Sequence, residues 1–244
     1  METPFTRGQR ASLLKKASGL EVYTMRILVT IALLGTMAVS NVSAALSSSE
    51  IQRIAEAAAI LGELHAAPDQ DVPLDLWEKA ACVMVVPGLK KAAFIVGGEY
   101  GKGLMSCRRD GAWSAPIFIR LGKGSWGLQF GAQSIDLVML VMNERGVDKL
   151  LKNRVSLGAE ASVAAGPVGR DARAATDAQL KAEILSYSRT QGVFAGINLS
   201  GGVLRDDKDD NADLYGKGVS PQDVLKTNIP VPAEAKPFVD ALKR

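Results

Sequence analysis

The feature that most restricts the fold is a succession of short apolar runs between Ala81 and Met142. They are ACVMVV, AAFIVGGEY, GLMSCRR, WSAPIFIRL, SWGLQFGAQ and IDLVMLVM, joined by five or fewer Gly-rich or charged residues. A parallel pair needs a crossover of a dozen or more residues, so connections this short suit antiparallel hairpins and leave no room for helices between those strands. Glycine sharpens the same point, because 20 of the 24 fall between Gly88 and Gly218. Gly in quantity inside apolar runs marks turns, bulges and close backbone approach.

Helical patterns flank this region. Ser47 and Glu50 form a capping box, with Leu46 and Ile51 at the staple positions, so a helix is expected to start at Ser48 and run to Pro68. Its apolar stripe is Ile51, Ile54, Ala55, Ala58 and Leu61, and its opposite face offers Glu56, Glu63 and only Arg53. Interfacial helices are rich in Lys and Arg on the polar face, so this one is expected to pack on the core. Pro73 to Ala80 and Asn143 to Asn153 carry further helical patterns, and Ser220 to Lys226 and Ala233 to Lys243 close the chain with short helices. SLGAEASVAAG and VFAGINLSGGVL pattern as two more strands, while KAEILSYSR fits either state. The expected fold is α+β, a mostly antiparallel, Gly-rich sheet of eight or so strands curled into a barrel or flattened sandwich with helices packed outside.

Residues 1–44 are expected to be a targeting segment. Ile27 to Val39 is a 13-residue apolar run, preceded by Arg26 and followed by Val42-Ser43-Ala44. That is the pattern of a secretory signal peptide, and a membrane anchor would need about 20 apolar residues. Cleavage is expected after Ala44, with Met25 as an alternative start, which leaves 45–244 as one domain in a chain exported to a periplasmic or extracellular space. Export places Cys82 and Cys107 in an oxidising compartment, where an even count tends to pair. Two buried free thiols are the alternative, and two Cys with the single histidine, His65, do not make a zinc site.

Charge excludes some functions. Residues 1–44 carry a net +3, whereas 45–244 hold 24 basic and 24 acidic residues. A nucleic-acid-binding domain usually carries a basic excess, which is missing here. Gly122, Gly124 and Gly127 spell G-x-G-x-x-G, but the residues that follow are strand-patterned and provide no helix to face a pyrophosphate, so no nucleotide cofactor is expected. Asp207, Asp209, Asn211 and Asp213 mimic the start of a calcium loop that lacks its Gly and Glu, and a solvated acidic turn is expected instead. G-x-S-x-G is absent, so a hydrolase is the weaker rival, resting on Asp136 or the acidic turn. Asp136 lies in an apolar run where an unpaired carboxylate is costly, and is expected to pair with Arg120 or Arg170.

The distribution of charge survives this filtering. Residues 88–123 contain seven basic and two acidic residues, and Arg205 to Asp213 two basic and five acidic. A chain polarised in this way can present a local basic face to an anionic surface while neutral overall. The third reading is an envelope structural or protein-interaction domain that uses its flat sheet.

VPGLKKAAFIVGGEYGKG, CRRDGAWSAPIFIRLGKGSWGLQFGAQSIDLVMLVMN, VSLGAEASVAAGPVGRDA and AEILSYSRTQGVFAGINLSGGVLRDDKDDNADLYG resemble the successive signature blocks of the SYLF domain family, over about residues 50 to 227. The resemblance implies a non-enzymatic module that recognises phosphoinositides or other anionic lipids and whose fungal members also bind actin. Neither of the SH3 and FYVE neighbours usual in eukaryotes is present here, and an exported chain would not meet actin. On this basis Lys90, Lys91, Lys102 and Lys123 are the expected headgroup contacts. Arg170 and Arg189 also fall in the family's basic blocks, Arg170 more as a structural residue.

Overall fold

The computed structural model describes residues 46–66, 72–93, 96–126, 131–152, 154–169 and 181–243. The expected leader, its cleavage site, Gly127 and Arg170 lie outside them. Helix α1 (Ser48–Ala66) is followed by α2 (Leu74–Lys79) and five strands, β1 (Cys82–Ala93), β2 (Val96–Arg109), β3 (Ala112–Trp113), β4 (Ile117–Trp126) and β5 (Gly131–Val141). Then come α3 (Glu144–Leu150), β6 (Arg154–Ser156), β7 (Val163–Ala165), β8 (Ile184–Thr190), β9 (Val193–Gly196) and β10 (Gly202–Asp206). The chain closes with α4 (Lys208–Tyr215), α5 (Pro221–Lys226), a 3₁₀ turn (Ala233–Ala235) and α6 (Lys236–Ala241).

The strands form one ten-stranded sheet in the order β6-β10-β4-β2-β1-β5-β8-β7, with β3 added to β2 and β9 to β8. Among the described residues, every pairing between these strands is antiparallel except β7 with β8. The protein is therefore α+β, a mixed but mostly antiparallel sheet curled into a half-barrel with helices outside. Among the described residues, no helix is long and apolar enough to cross a membrane.

Both faces of the sheet are covered. Met84, Val86, Met105, Leu121, Leu137 and Met139 point into one core, while Val83, Val85, Leu104, Phe118, Val138 and Leu140 point into the other, beneath α1 and α6. The capping box starts α1 as expected, with the Ser47 backbone N–H donating to Glu50. The buried stripe of α1 is Ile54, Ala57, Ile60, Leu61 and Leu64, whereas Ile51 and Ala55 are exposed. The helix is thus rotated from the expected stripe by about one position, and Arg53 is drawn to the sheet side.

Between Ala81 and Met142 five strands stand in place of the six apolar runs, although the sheet has ten strands rather than eight or so. GGEY and GLMSCRR belong to one strand, β2, because Gly101 and Gly103 continue the extended chain rather than turn it. A Cβ on Gly103 would sit 2.1 Å from the Val85 carbonyl oxygen, and one on Gly101 would sit 2.6 Å from Val86. Glycine here lets β2 pass under the bulge of β1, where the pairing register shifts between Val85 and Lys90 and Gly88 takes φ +56°. Gly122 and Gly124 likewise lie inside β4.

Two other expected strands are each divided between opposite ends of the sheet. SLGAEASVAAG leaves β6 and enters β7 through a tight Leu157–Ala161 bridge. VFAGINLSGGVL leaves β9 on β8 and enters β10 between β4 and β6. The break follows local chemistry, since Asn198 accepts from the Ser200 N–H and Gly201 takes φ +86°. KAEILSYSR contributes the strand β8.

Candidate anion-binding site

Adjacent strands place one cation each in a single row. Arg154 on β6 stands opposite Arg205 on β10, Arg205 opposite Arg120 on β4, and Arg120 opposite Lys102 on β2. Paired residues share a face of the sheet, so four cations run side by side across four strands. Like charges directly opposite one another destabilise a sheet, so the row needs compensation.

Half of the row receives it from α4 and the residue before it. Lys102 Nζ lies 2.8 Å from Asp207 and 3.0 Å from Asp210, and Arg120 lies 3.1 Å from Asp207. Arg53 of α1 reaches Asp210 at 2.5 Å and stacks on Phe118. Arg53, Asp210, Lys102, Asp207 and Arg120 thus form a chain of alternating charge that binds α1 and α4 to the sheet.

This overturns the expected solvated acidic turn, because Asp207 is wholly buried, Asp210 and Asn211 are buried, and the segment is a helix. Asn211 completes the docking by accepting from the Phe118 N–H and donating to the Phe118 carbonyl, as a neighbouring strand would. Burial alone would raise the Asp210 carboxyl, but hydrogen bonds from Lys102 and Arg53 hold it below its ordinary range. Burial alone would lower Lys102, and Asp207 and Asp210 raise it instead.

The other half of the row is open. Arg154, Arg205 and Lys208 are exposed, and among the described residues none has an ion pair within 4 Å. They line a cavity of about 700 Å³ together with Arg120, Tyr100, Gly122, Val203 and Asp206. Gly122 and Val203 lie side by side in the next row, with Tyr100 beyond Gly122. A Cβ on Gly122 would meet nothing nearer than the Glu99 oxygen at 4.0 Å, so the missing side chain leaves the space open.

The four lysines expected to make one basic face do not share one. Lys90 pairs with Tyr100 on the arginine face, where Lys102 also points. Lys91 and Lys123 flank Glu99 on the other face, with Lys91 Nζ 3.4 Å from Glu99. Only Lys90 among them is exposed. Arg154, Arg205 and Lys208 were hidden from sequence reasoning because they lie in segments distant from the 88–123 run. The signal that could have found them is the register of β10 between β4 and β6.

The carboxylate of Asp136 is engaged on both oxygens, accepting from the Gly88 N–H at 2.8 Å and lying 3.3 Å from Arg189 Nε. Arg189 also reaches Glu63 of α1 at 2.8 Å. The expected partners were Arg120 or Arg170. Arg189 takes that place because it is the cross-strand neighbour of Asp136 in the β5–β8 register. Asp136 thereby holds the β1 bulge, with each carboxylate oxygen in a structural contact. Cys82 and Cys107 are directly opposite on β1 and β2 and are joined as a disulfide.

Residues 122–244 match the family model described as Ysc84, Las17-binding protein actin regulator. The chain belongs to the Ysc84, or SYLF, family. Curated members include an SH3 domain-containing protein of Schizosaccharomyces pombe, PJ696.02, 35% identical over 163 residues, which are 65% of this chain and 38% of that protein. The SH3 domain-containing YSC84-like protein 1 of Rattus norvegicus is 32% identical over 177 residues, 72% of this chain and 52% of that protein. Protein YSC84 of Saccharomyces cerevisiae is 30% identical over 179 residues, 72% and 38% of the two chains. This Ysc84-family chain thus spans about half or less of the length of the curated relatives it matches. The matched segment begins inside β4 and contains Arg154, Arg205 and Lys208 of the open half-row.

Proposed function

We propose that this chain is a non-enzymatic module that binds anionic lipid headgroups at a membrane surface, and that after export it does so in the periplasm or outside the cell. The observation that carries this reading is the in-register row Arg154–Arg205–Arg120–Lys102, half neutralised by Asp207 and Asp210 and half open beside the cavity. Arginine and lysine near an anionic surface contribute about 1 kcal/mol each. The contacts of this reading are Arg154, Arg205 and Lys208, with Lys90 on the same face. Lys102 supports the site through its ion pairs, and Lys91 and Lys123 belong to the opposite face.

Flotation of residues 45–244 with phosphatidylglycerol vesicles tests it. Replacing Arg154, Arg205 and Lys208 by Ser should weaken binding by about 3 kcal/mol, on the order of a hundred-fold, and added salt should weaken the unsubstituted protein. Replacing Lys91 and Lys123 by Ser should change little. Equal flotation of both folded variants sinks the reading.

The family description, a Las17-binding actin regulator, favours a second reading, a protein-interaction module. Retention of the isolated chain by Las17 or actin, with no affinity for vesicles, would decide for it.

A further inference from the structure

Four strands run on past the two cores. Beyond the core residues Leu89, Leu121 and Ile135, β1 continues to Ala93, β4 to Trp126 and β5 back to Gly131, while β2 reaches back to Val96. Each continues for four or five residues, roughly 13 to 17 Å at the rise of a strand. Among the described residues their outer neighbours stop short, since β10 pairs with β4 only as far as Lys123 and β8 with β5 only from Asp136. None of the described residues in this extension belongs to either core. A sheet without an apolar layer lacks the burial that normally supports it, so this end calls for a covering surface.

One face of the extension is graded in polarity. Read outward by register, its rows are Lys102 with Arg120, then Lys90 with Tyr100 and Gly122, then Gly98 with Gly124, and last Val96 with Trp126. Lys90 is exposed and Tyr100 is 50% exposed. Gly98 and Gly124 are exposed and leave the third row bare, with nothing within 4 Å of a Cβ on Gly124. In the sequence, Phe94 and Ile95 join β1 to β2, and Leu128 and Phe130 lie between β4 and β5. The opposite face shows no such grading, because Lys91 and Lys123 flank Glu99 there.

A cationic row, a Lys–Tyr row, a bare row and an apolar row follow the order of a bilayer from phosphates to acyl chains. Tyr and Trp concentrate at that boundary, and a Lys stem lies along apolar surface while its ammonium stays in water. The Lys90–Tyr100 and Val96–Trp126 rows are four residues apart, about 13 Å along a strand. An inclined entry brings this close to the ~5–10 Å that interfacial segments sink.

We infer that the outer end of the β4-β2-β1-β5 extension, marked by the Val96–Trp126 pair, inserts into the interfacial layer of an anionic bilayer, with Lys90 and Tyr100 at headgroup level. The inference rests on the membrane-surface reading and adds a second contact to it, one made with acyl chains rather than with charge.

Tryptophan fluorescence tests it. The chain has three tryptophans, and Trp77 and Trp113 are buried. Quenching by phosphatidylglycerol brominated on its acyl chains therefore reports Trp126. Vesicles of that lipid should quench and blue-shift the emission of the bound protein, and Trp126→Phe should remove most of the quenching. Val96→Ser with Trp126→Ser should weaken flotation with phosphatidylglycerol about ten-fold or more, as loss of buried apolar area predicts. Gly124→Asn, which has room for its side chain, should reduce quenching without changing charge. Urea midpoints confirm that each variant is folded.

Full binding to the vesicles without quenching overturns the inference and leaves the headgroup reading intact. So does undiminished flotation of the folded double serine variant. Self-association in the absence of lipid that Trp126→Ser abolishes would assign this end to a second copy of the chain and overturn insertion. Failure to bind phosphatidylglycerol vesicles at all removes both readings together.

Discussion

Lys102 on β2 and Asp207 at the start of α4, 105 residues apart in sequence, meet at 2.8 Å with the carboxylate wholly buried. The contact has two consequences. It neutralises the inner half of a row of like charges, and it anchors the helix whose first residue, Lys208, borders the cavity. A residue that looks like a free surface lysine is therefore a structural one.

Asp207→Asn should be among the most destabilising polar substitutions in the protein. It leaves Lys102 and Arg120 facing each other half-buried, and breaking a buried pair typically costs about 3 to 5 kcal/mol. Asp209→Asn, at an 89% exposed position 3.9 Å from Arg120, should change stability by less than about 0.5 kcal/mol. Urea unfolding of the two variants side by side measures the difference.

The same network sets the pH range of stability. The Asp210 carboxyl is depressed in the folded state, so its contribution is present above its ordinary value of 3.8 and is lost as pH falls through the folded value. Lys102 is raised, so its contribution is full below its ordinary value of 10.5 and is lost as pH rises through the folded value. Glu183 joins the acid limb: burial raises it, but Lys149 and the Ser162 N–H outweigh burial and hold it down. Denaturant midpoints should be flat between the two limbs and fall beyond each. Asp210→Asn should flatten part of the acid limb while lowering the plateau. An unchanged acid limb would remove Asp210 from this role.

Gly103→Ala tests the crossing of β1 and β2. Its Cβ would meet the Val85 carbonyl oxygen at 2.1 Å, a backbone atom that cannot rotate away, so a loss of about 3 kcal/mol or more is expected, at the upper end of overpacking costs. Gly124→Ala, in β4 with nothing within 4 Å of the added carbon, should be neutral or slightly stabilising. Thermal unfolding distinguishes them directly.

The proposed export and the covalent state of the chain are both read by mass spectrometry without reduction. The mature protein should begin at Ala45, and Cys82 and Cys107 should resist alkylation until reduced. Reduction should cost about 3 kcal/mol on the loop-closure scale for cysteines 25 residues apart. Two freely alkylated thiols in the native protein would count against pairing, and an N-terminus at Met1 or Met25 against export with cleavage.

Much of the architecture was legible without coordinates, because it rests on short-range chemistry. The Ser47–Glu50 box starts α1, Ser220–Asp223 starts α5, and the short connections after Ala81 force antiparallel neighbours. The signature blocks also identify the family on their own. What depended on tertiary structure was which residues become neighbours across strands. Register is a long-range property, so Arg154, Arg205, Arg120 and Lys102 looked like four scattered cations until β10 was seated between β4 and β6. Strand alternation divided the expected lysines between two faces, and a one-position rotation of α1 turned Arg53 toward Asp210. Whether a charge is free or paired depends on the field of residues far away in sequence, and the folded chain alone brings Asp207 and Asp210 beneath that row.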